Sequence, residues 1–143
     1  MLFVRDIMTR WVATIDPNRT VRDAARTMAK ANAGSLVIMD KMKPVGIVTE
    51  GDILRALAKG ADPDKAPIRK IMSKKLITVS PNLRVEEAAK LMAEKQVKRL
   101  PVLEEGGVVG IVTQTDIVAS SFDLVTSLKE MVRARYRPPD FQP

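Results

Sequence analysis

Two segments of this chain carry the residues best suited to binding a small molecule. In each, a threonine follows a Gly-Ile-Val run and precedes an aspartate by three positions: Thr49 with Asp52, and Thr113 with Asp116. An ionised aspartate only accepts hydrogen bonds, so its two oxygens match the paired donors of a ribose diol. The threonine hydroxyl suits a sugar or a phosphate, and the free N–H groups at the start of a following helix attract anions.

The same spacing also has a purely structural explanation. A threonine three residues before an acidic side chain forms a capping box, in which each side chain bonds to the backbone N–H group of the other residue. Thr20 and Asp23 show this spacing at a place where nothing else indicates a ligand. The spacing alone therefore leaves both interpretations open.

The composition excludes several other chemistries. The 143 residues include 24 Lys and Arg against 17 Asp and Glu, a formal charge of +7, and no Cys or His. Without Cys there is no disulfide, thiolate zinc site or cysteine nucleophile, and without His the chain lacks the commonest general base and transition-metal ligand. We therefore expect no catalytic residue, no metal site and no enzymatic activity. Because no apolar run approaches the roughly 18 residues of a membrane span and no signal peptide opens the chain, we expect a cytoplasmic protein without membrane contact.

The two Thr-x-x-Asp segments belong to a repeat that spans most of the chain. A constant offset of 64 residues relates the Ile-Met pair at 7–8 to 71–72, the Pro-Asn pair at 17–18 to 81–82, and Val-Gly-Ile-Val-Thr at 45–49 to 109–113. In each copy, apolar residues at i, i+3, i+4 and i+7 predict a helix that packs on one side. Two apolar runs with a turn between them then predict a β-hairpin, and a second helix follows each threonine. A shorter apolar run before the first helix, at 12–15 and 76–79, predicts a third strand.

Each copy is therefore a β-α-β-β-α unit, and we expect an α+β fold. A unit of about 55 residues is marginally stable alone, whereas two units can bury their sheets together in one globular module with pseudo-twofold symmetry. We assign residues 1–60 to the first repeat, 61–67 to a Pro-containing linker and 68–121 to the second repeat. Residues 122–143 are expected to form a C-terminal amphipathic helix and a Pro-rich tail. The apolar seam of this helix packs either on its own module or in a dimer contact.

These features resemble a tandem pair of cystathionine-β-synthase (CBS) domains, the Bateman module, as found in stand-alone bacterial and archaeal proteins. Both copies fit the nucleotide signature of that family, G-h-x-[TS]-x-x-[DN] with h hydrophobic, at 46–52 and 110–116, and the second copy has Arg-Leu-Pro-Val at 99–102. The resemblance implies two clefts that hold AMP, ADP, ATP or S-adenosylmethionine as a regulatory ligand, with AMP expected first, and no catalytic cofactor. It also implies a homodimer that senses energy or metabolite levels for an unknown effector protein.

The resemblance also identifies further candidate ligand-binding residues. In the family, basic residues just before the proline of the second strand meet phosphates, and here the second copy has Lys98 and Arg99 where the first has Gly34 and Ser35, so the two clefts are not equivalent. Each adenine pocket should have apolar walls, although every wall residue is equally an ordinary core residue and the two cations are equally a solvated pair. Asp116→Ala is expected to abolish binding in the second cleft. The full candidate set is Thr49, Asp52, Thr113, Thr115, Asp116, Lys98, Arg99, Leu76, Ile77, Thr78, Leu100, Pro101, Ala13, Thr14, Ser35 and Leu36.

An alternative function rests on the distribution of charge. Residues 59–75 hold six basic residues against two acidic ones, an excess that attracts nucleic acid or the phosphates of a ligand. No aromatic residues are interleaved with them, and no helix-turn-helix or zinc-finger pattern is present, which favours a solvated linker. The alternative to a sensor is therefore a nucleic-acid-binding or scaffolding dimer that uses this basic surface.

Overall fold

The expected α+β fold is confirmed. The structure is a computed structural model that describes residues 1–121 together with Glu130 and Val132, so the predicted C-terminal helix and tail at 122–143 lie otherwise outside the described residues. The first copy contains α1 (Val4–Ile7), β1 (Thr14–Ile15), α2 (Val21–Ala31), β2 (Ser35–Asp40), β3 (Lys43–Thr49) and α3 (Glu50–Ala58). The second copy contains a short 3-10 helix (Ile68–Lys70), α4 (Val85–Lys95), β4 (Arg99–Glu104), β5 (Gly107–Thr113) and α5 (Gln114–Ala119).

The two copies differ in the predicted third strand. In the first copy, β1 pairs in parallel with β2 through Thr14 and Val37, which completes a three-stranded sheet. In the second copy, the described part of the equivalent run is reduced to a single parallel bridge from Val79 to Val102. The hairpins β2–β3 and β4–β5 are antiparallel and pair equivalent residues in both copies. The repeat therefore preserves the hairpin more strictly than the strand that precedes the first helix.

The opening segment of each copy docks on the other copy. Val4 N–H donates to the Leu83 carbonyl at 2.7 Å and Val85 N–H donates to the Leu2 carbonyl at 3.1 Å, which joins the first residues of the chain to the start of α4. Residues 66–68 attach to the start of α2 through equivalent backbone bonds. The sequence repeats are thus contiguous along the chain, but each packs with a segment of the other.

Each of the two hydrophobic cores consequently includes a residue of the opposite copy. Ile68 is 0% exposed and lies in the core formed by the first copy, together with Leu36 and Val48. Val4, also 0% exposed, lies in the core formed by the second copy, together with Leu100. Because burial of apolar side chains is the main stabilising contribution to a fold, each half depends on the other for part of its core.

The signature glycines lie where these exchanged segments cross the sheets. A Cβ atom on Gly46 would lie 2.7 Å from the Met72 sulfur and 2.8 Å from the Ser73 carbonyl oxygen, and one on Gly110 would lie 2.6 Å from the Met8 sulfur. The facing copy therefore occupies the space beside both signature glycines. Among the described helices, none has the length and apolar character to cross a membrane.

Candidate functional site

Two clefts lie where the two copies meet, and each is lined by residues of both. We name the larger of them, with a volume of about 410 Å³, the Asp52 cleft. Its lining includes Thr49, Gly51, Asp52 and Arg55 from the first copy and Ser73, Lys75, Leu76, Ile77, Lys98, Arg99 and Pro101 from the second. We name the smaller, with a volume of about 300 Å³, the Trp11 cleft. Its lining includes Thr9, Trp11, Val12, Ala13 and Ser35 from the first copy and Arg99, Ile111 and Thr113 from the second.

Thr49 and Asp52 form a complete capping box at the start of α3. One carboxylate oxygen, Oδ2, accepts hydrogen bonds from the Thr49 backbone N–H at 2.9 Å and from the Thr49 hydroxyl at 3.0 Å. The Asp52 N–H donates in return to the Thr49 hydroxyl oxygen at 3.3 Å. The other carboxylate oxygen, Oδ1, accepts from Arg55 Nη2 at 2.8 Å. The structural and functional interpretations coexist here, because the same carboxylate closes the helix start and borders the cleft.

Thr113 and Asp116 form the same box at the start of α5. Thr113 N–H donates to Asp116 Oδ2 at 2.9 Å, and Asp116 N–H donates to the Thr113 hydroxyl oxygen at 3.1 Å. Thr113 lines the Trp11 cleft, whereas the partly exposed Asp116 and the exposed Thr115 lie outside its lining. Thr20 and Asp23 form a third box at the start of α2. Box geometry by itself therefore does not mark a ligand site.

The candidate wall residues divide between the clefts and the core. Leu76, Ile77 and Pro101 line the Asp52 cleft, and Ala13 and Ser35 line the Trp11 cleft. The side chains of four others do not reach either lining: Leu36 and Leu100 are 0% exposed in the two cores, Thr14 faces a separate surface hollow, and Thr78 is partly buried elsewhere. Leu36 and Leu100 therefore pack as core residues in this structure.

Positive charge distinguishes the two clefts. The basic side chains on the Asp52 cleft are Arg55, Lys75, Lys98 and Arg99, against the single carboxylate of Asp52. In the Trp11 cleft, Arg99 is the one cation among the described residues. Arg99 reaches both clefts, and its Nη2 lies 3.5 Å from the point where a Cβ on Gly34 would stand. An anionic ligand is therefore favoured in the Asp52 cleft by charge alone.

Sequence reasoning missed Arg55 as a cleft residue. Arg55 lies three residues after Asp52 on α3, a spacing at which opposite charges pair on a helix surface, so the sequence did contain a signal for it. Lys75 belongs to the basic run at 59–75, and it reaches the cleft through the exchange of segments. Its ammonium donates to the carbonyl of Lys95 at the end of α4, at 2.7 Å.

The comparisons with known proteins agree with this architecture. A family model described as the CBS domain matches residues 4–59 and again residues 68–123. The CBS domain-containing protein YhcV of Bacillus subtilis is 37% identical over 121 residues, which cover 84% of this chain and 86% of YhcV. The hexameric CBS-CP12 protein from bloom-forming cyanobacteria superposes with a TM-score of 0.78 and 33% identity, covering 93% of this chain and 86% of that one. The CBS domain pair of protein MJ0100, solved in complex with 5′-methylthioadenosine and S-adenosyl-L-methionine, superposes with a TM-score of 0.75 and 32% identity, covering 90% and 98% of the two chains.

Proposed function

This chain belongs to the CBS-domain family, and from that premise we propose that it is a regulatory module that binds an adenosine-containing ligand in the Asp52 cleft. The observation that carries the proposal is that Asp52 lines the same cleft as an apolar wall and a group of basic side chains. A carboxylate recognises a ribose diol, an apolar wall receives a base, and basic side chains receive phosphates. The binding of 5′-methylthioadenosine and S-adenosyl-L-methionine by a relative of the same fold supports an adenosine ligand.

Each part of the ligand has a candidate partner in the Asp52 cleft. The base packs against Leu76, Ile77 and Pro101, the ribose hydroxyls donate to Asp52, and the phosphate accepts from Lys98 and Arg99. AMP, ADP and ATP fit this charge better than S-adenosylmethionine, whose sulfonium centre is itself positive. Among these, AMP stays the first candidate.

Regulation of a partner follows from the fact that both copies supply residues to the lining of the cleft. Because the Asp52 cleft is formed by both copies, a bound ligand changes how the copies pack to the extent that it prefers one arrangement. An effector protein that contacts both copies then responds to occupancy. We propose a homodimer as the responding assembly. Two observations support it: one relative is hexameric, and exposed Leu54 and Leu57 line an apolar groove between α2 and α3.

The test compares two aspartates in equivalent capping boxes, of which Asp52 also pairs with Arg55. Asp52→Ala and Asp23→Ala each remove the acidic member of a box, so both should lower the stability of the fold. We expect AMP to raise the melting temperature of the wild-type protein and of Asp23→Ala, but not that of Asp52→Ala. At a concentration of 100 times the Kd, a ligand contributes about 2.7 kcal/mol, which is readily measured by thermal shift.

The same measurement separates the competing functions. ATP, S-adenosylmethionine and a random DNA duplex are tested beside AMP, and sedimentation of each mixture reports the mass of the assembly. A thermal shift with AMP that survives in Asp52→Ala would remove Asp52 from the site. A shift with the duplex and none with an adenosine compound would replace the sensor with the nucleic-acid alternative.

A further inference from the structure

We propose that Arg55 makes the Asp52 cleft selective for phosphorylated adenosine ligands, by competing with the ligand's ribose for Asp52. The inference rests on the proposed function of that cleft and adds the chemical class of its ligand. It assigns Arg55 as a specificity residue, which acts through its pairing with Asp52 as well as through its own charge.

The two oxygens of Asp52 are held unequally. Oδ2 accepts two hydrogen bonds from Thr49, at 2.9 and 3.0 Å, and these belong to the start of α3. Oδ1 accepts from Arg55 Nη2 at 2.8 Å, and it is the oxygen whose partner is an exposed side chain. A ribose that donates to Asp52 must therefore share or take Oδ1 from Arg55.

The arginine is free to change partners. Its side chain is 66% exposed, whereas that of Asp52 is 21% exposed, so the guanidinium can swing into solvent or the cleft while the carboxylate stays in place. The guanidinium lies across the bare backbone at Gly51, where a Cβ would stand 3.1 Å from Nη1. The glycine and the arginine are both specific to the first copy, because the equivalent positions of the second copy are Thr115 and Ala119.

The charge of the ligand decides the outcome of this competition. A neutral nucleoside takes Oδ1 and leaves the guanidinium without an anion. A nucleotide also displaces the guanidinium, but its phosphate then offers a new anionic partner within the same cleft, and arginine pairs with phosphate more strongly than with neutral acceptors. Lys98 lines the cleft without bonding to Asp52, so it attracts the phosphate and does not oppose the nucleoside.

The experiment measures adenosine and AMP, which differ only in the phosphate, by calorimetric titration of the wild-type protein, Arg55→Ala and Lys98→Ala. In Arg55→Ala we expect adenosine to bind about two- to fivefold more tightly, the size of the effect of an exposed ion pair. AMP is expected to bind about tenfold more weakly to the same variant, because a charged partner of the phosphate is lost. Lys98→Ala should also weaken the binding of AMP, but it should not tighten the binding of adenosine.

The opposite signs for the two ligands separate this role from a structural one. A general effect of the substitution on α3 would change the affinities for adenosine and AMP in the same direction. If Arg55 only attracted the phosphate, Arg55→Ala would weaken AMP binding and leave adenosine binding unchanged, as expected for Lys98→Ala. Adenosine affinity that is unchanged or reduced in Arg55→Ala, with AMP and adenosine both binding to the wild-type protein, would overturn the inference and leave the proposed function intact. If neither adenosine nor AMP binds to the wild-type protein, this inference fails. The proposed function fails with it only if ATP and S-adenosylmethionine also leave the melting temperature of the wild-type protein unchanged.

Discussion

At the scale of single residues, the surroundings of a side chain decide its role more than its type does. Asp23, Asp52 and Asp116 each close a helix start with the same hydrogen bonds. Of these three carboxylates, the one that borders a cavity beside basic side chains is Asp52. The threonine-aspartate spacing identified the local geometry correctly in all three places, and it did not distinguish the cleft from the helix cap.

The effect of substituting a glycine also depends on the surroundings of that glycine, which gives a prediction. Gly46→Ala places a Cβ 2.8 Å from the Ser73 carbonyl, which is part of the backbone and cannot yield, so we expect a loss of about 1–3 kcal/mol of stability. Gly51→Ala meets only the flexible end of Arg55 and replaces a helical glycine, so we expect a gain of about 0.5–1 kcal/mol.

Urea unfolding of both glycine variants checks this pair of expectations. The midpoint should fall for Gly46→Ala and rise for Gly51→Ala relative to the wild-type protein. A midpoint that does not fall for Gly46→Ala would show that the close approach of the copies at Gly46 does not restrict the side chain there. A midpoint that falls for Gly51→Ala would contradict the second expectation.

At the scale of elements, the starts of the helices are specified by local side chains. α2, α3 and α5 each begin with a threonine whose side chain accepts from the backbone. The N-cap of α4 is Arg84, which stands where the first copy has Thr20, and within residues 1–121 no side chain caps this helix start. The starts of α2 and α4 are also held by the exchanged opening segments, so α4 forms without a cap of its own.

Two carboxylates, those of Asp23 within α2 and of Asp64 beside it, make the stability of the fold depend on pH in the acid range. The pKa of Asp23 lies below its ordinary value of 3.8, mainly because the Thr20 backbone N–H bonds to the ionised carboxylate. The pKa of Asp64 is lowered mainly by its hydrogen bond with Arg22. Since both pKa values fall on folding, the ionised carboxylates stabilise the fold above pH 3.8, and this contribution is lost as the pH drops through the lowered values.

The free energy of unfolding, measured in urea over a pH series, tests this dependence. Asp23→Asn should be less stable than the wild-type protein at neutral pH, and the difference should shrink as the pH falls below 3.8. A difference that stays constant down to the lowest pH would mean that the contact of Thr20 with the carboxylate does not depend on its charge.

At the scale of the whole molecule, the exchange of opening segments joins the two copies into one cooperative unit. Val4 completes the core of the second copy and Ile68 that of the first, and both are 0% exposed. Loss of either core therefore removes part of the other, which is the condition for a single unfolding transition.

Substitutions at these two positions test the cooperativity. Ile68→Ala should cost about 2–5 kcal/mol, and Val4→Ala somewhat less because it removes fewer buried methyl groups. We expect each variant to shift one transition, seen at the same denaturant concentration by fluorescence of Trp11 and by far-UV circular dichroism. If Val4→Ala left the Trp11 transition in place while the dichroism shifted, the two halves would unfold independently.

The candidate site was predictable in part. Thr49 with Asp52 was proposed from the signature, and Lys98 with Arg99 from the family resemblance, because each pair lies within a short stretch of the chain. Their assembly with Leu76 and Ile77 depends on contacts between positions far apart in sequence. No local pattern contains that information.

By itself, the sequence determined the duplication, the α+β unit, the family and the starts of three helices, because the repeat offset, the signature, the apolar periodicities and the capping spacing are all visible along the chain without its fold. Only the tertiary structure decided which copy supplies each wall of a cleft. It also decided that the signature glycines face the other copy and that Arg55 donates to Oδ1 of Asp52. These outcomes depend on the exchange of opening segments and on the direction of individual side chains. They are fixed when apolar burial brings the two copies together.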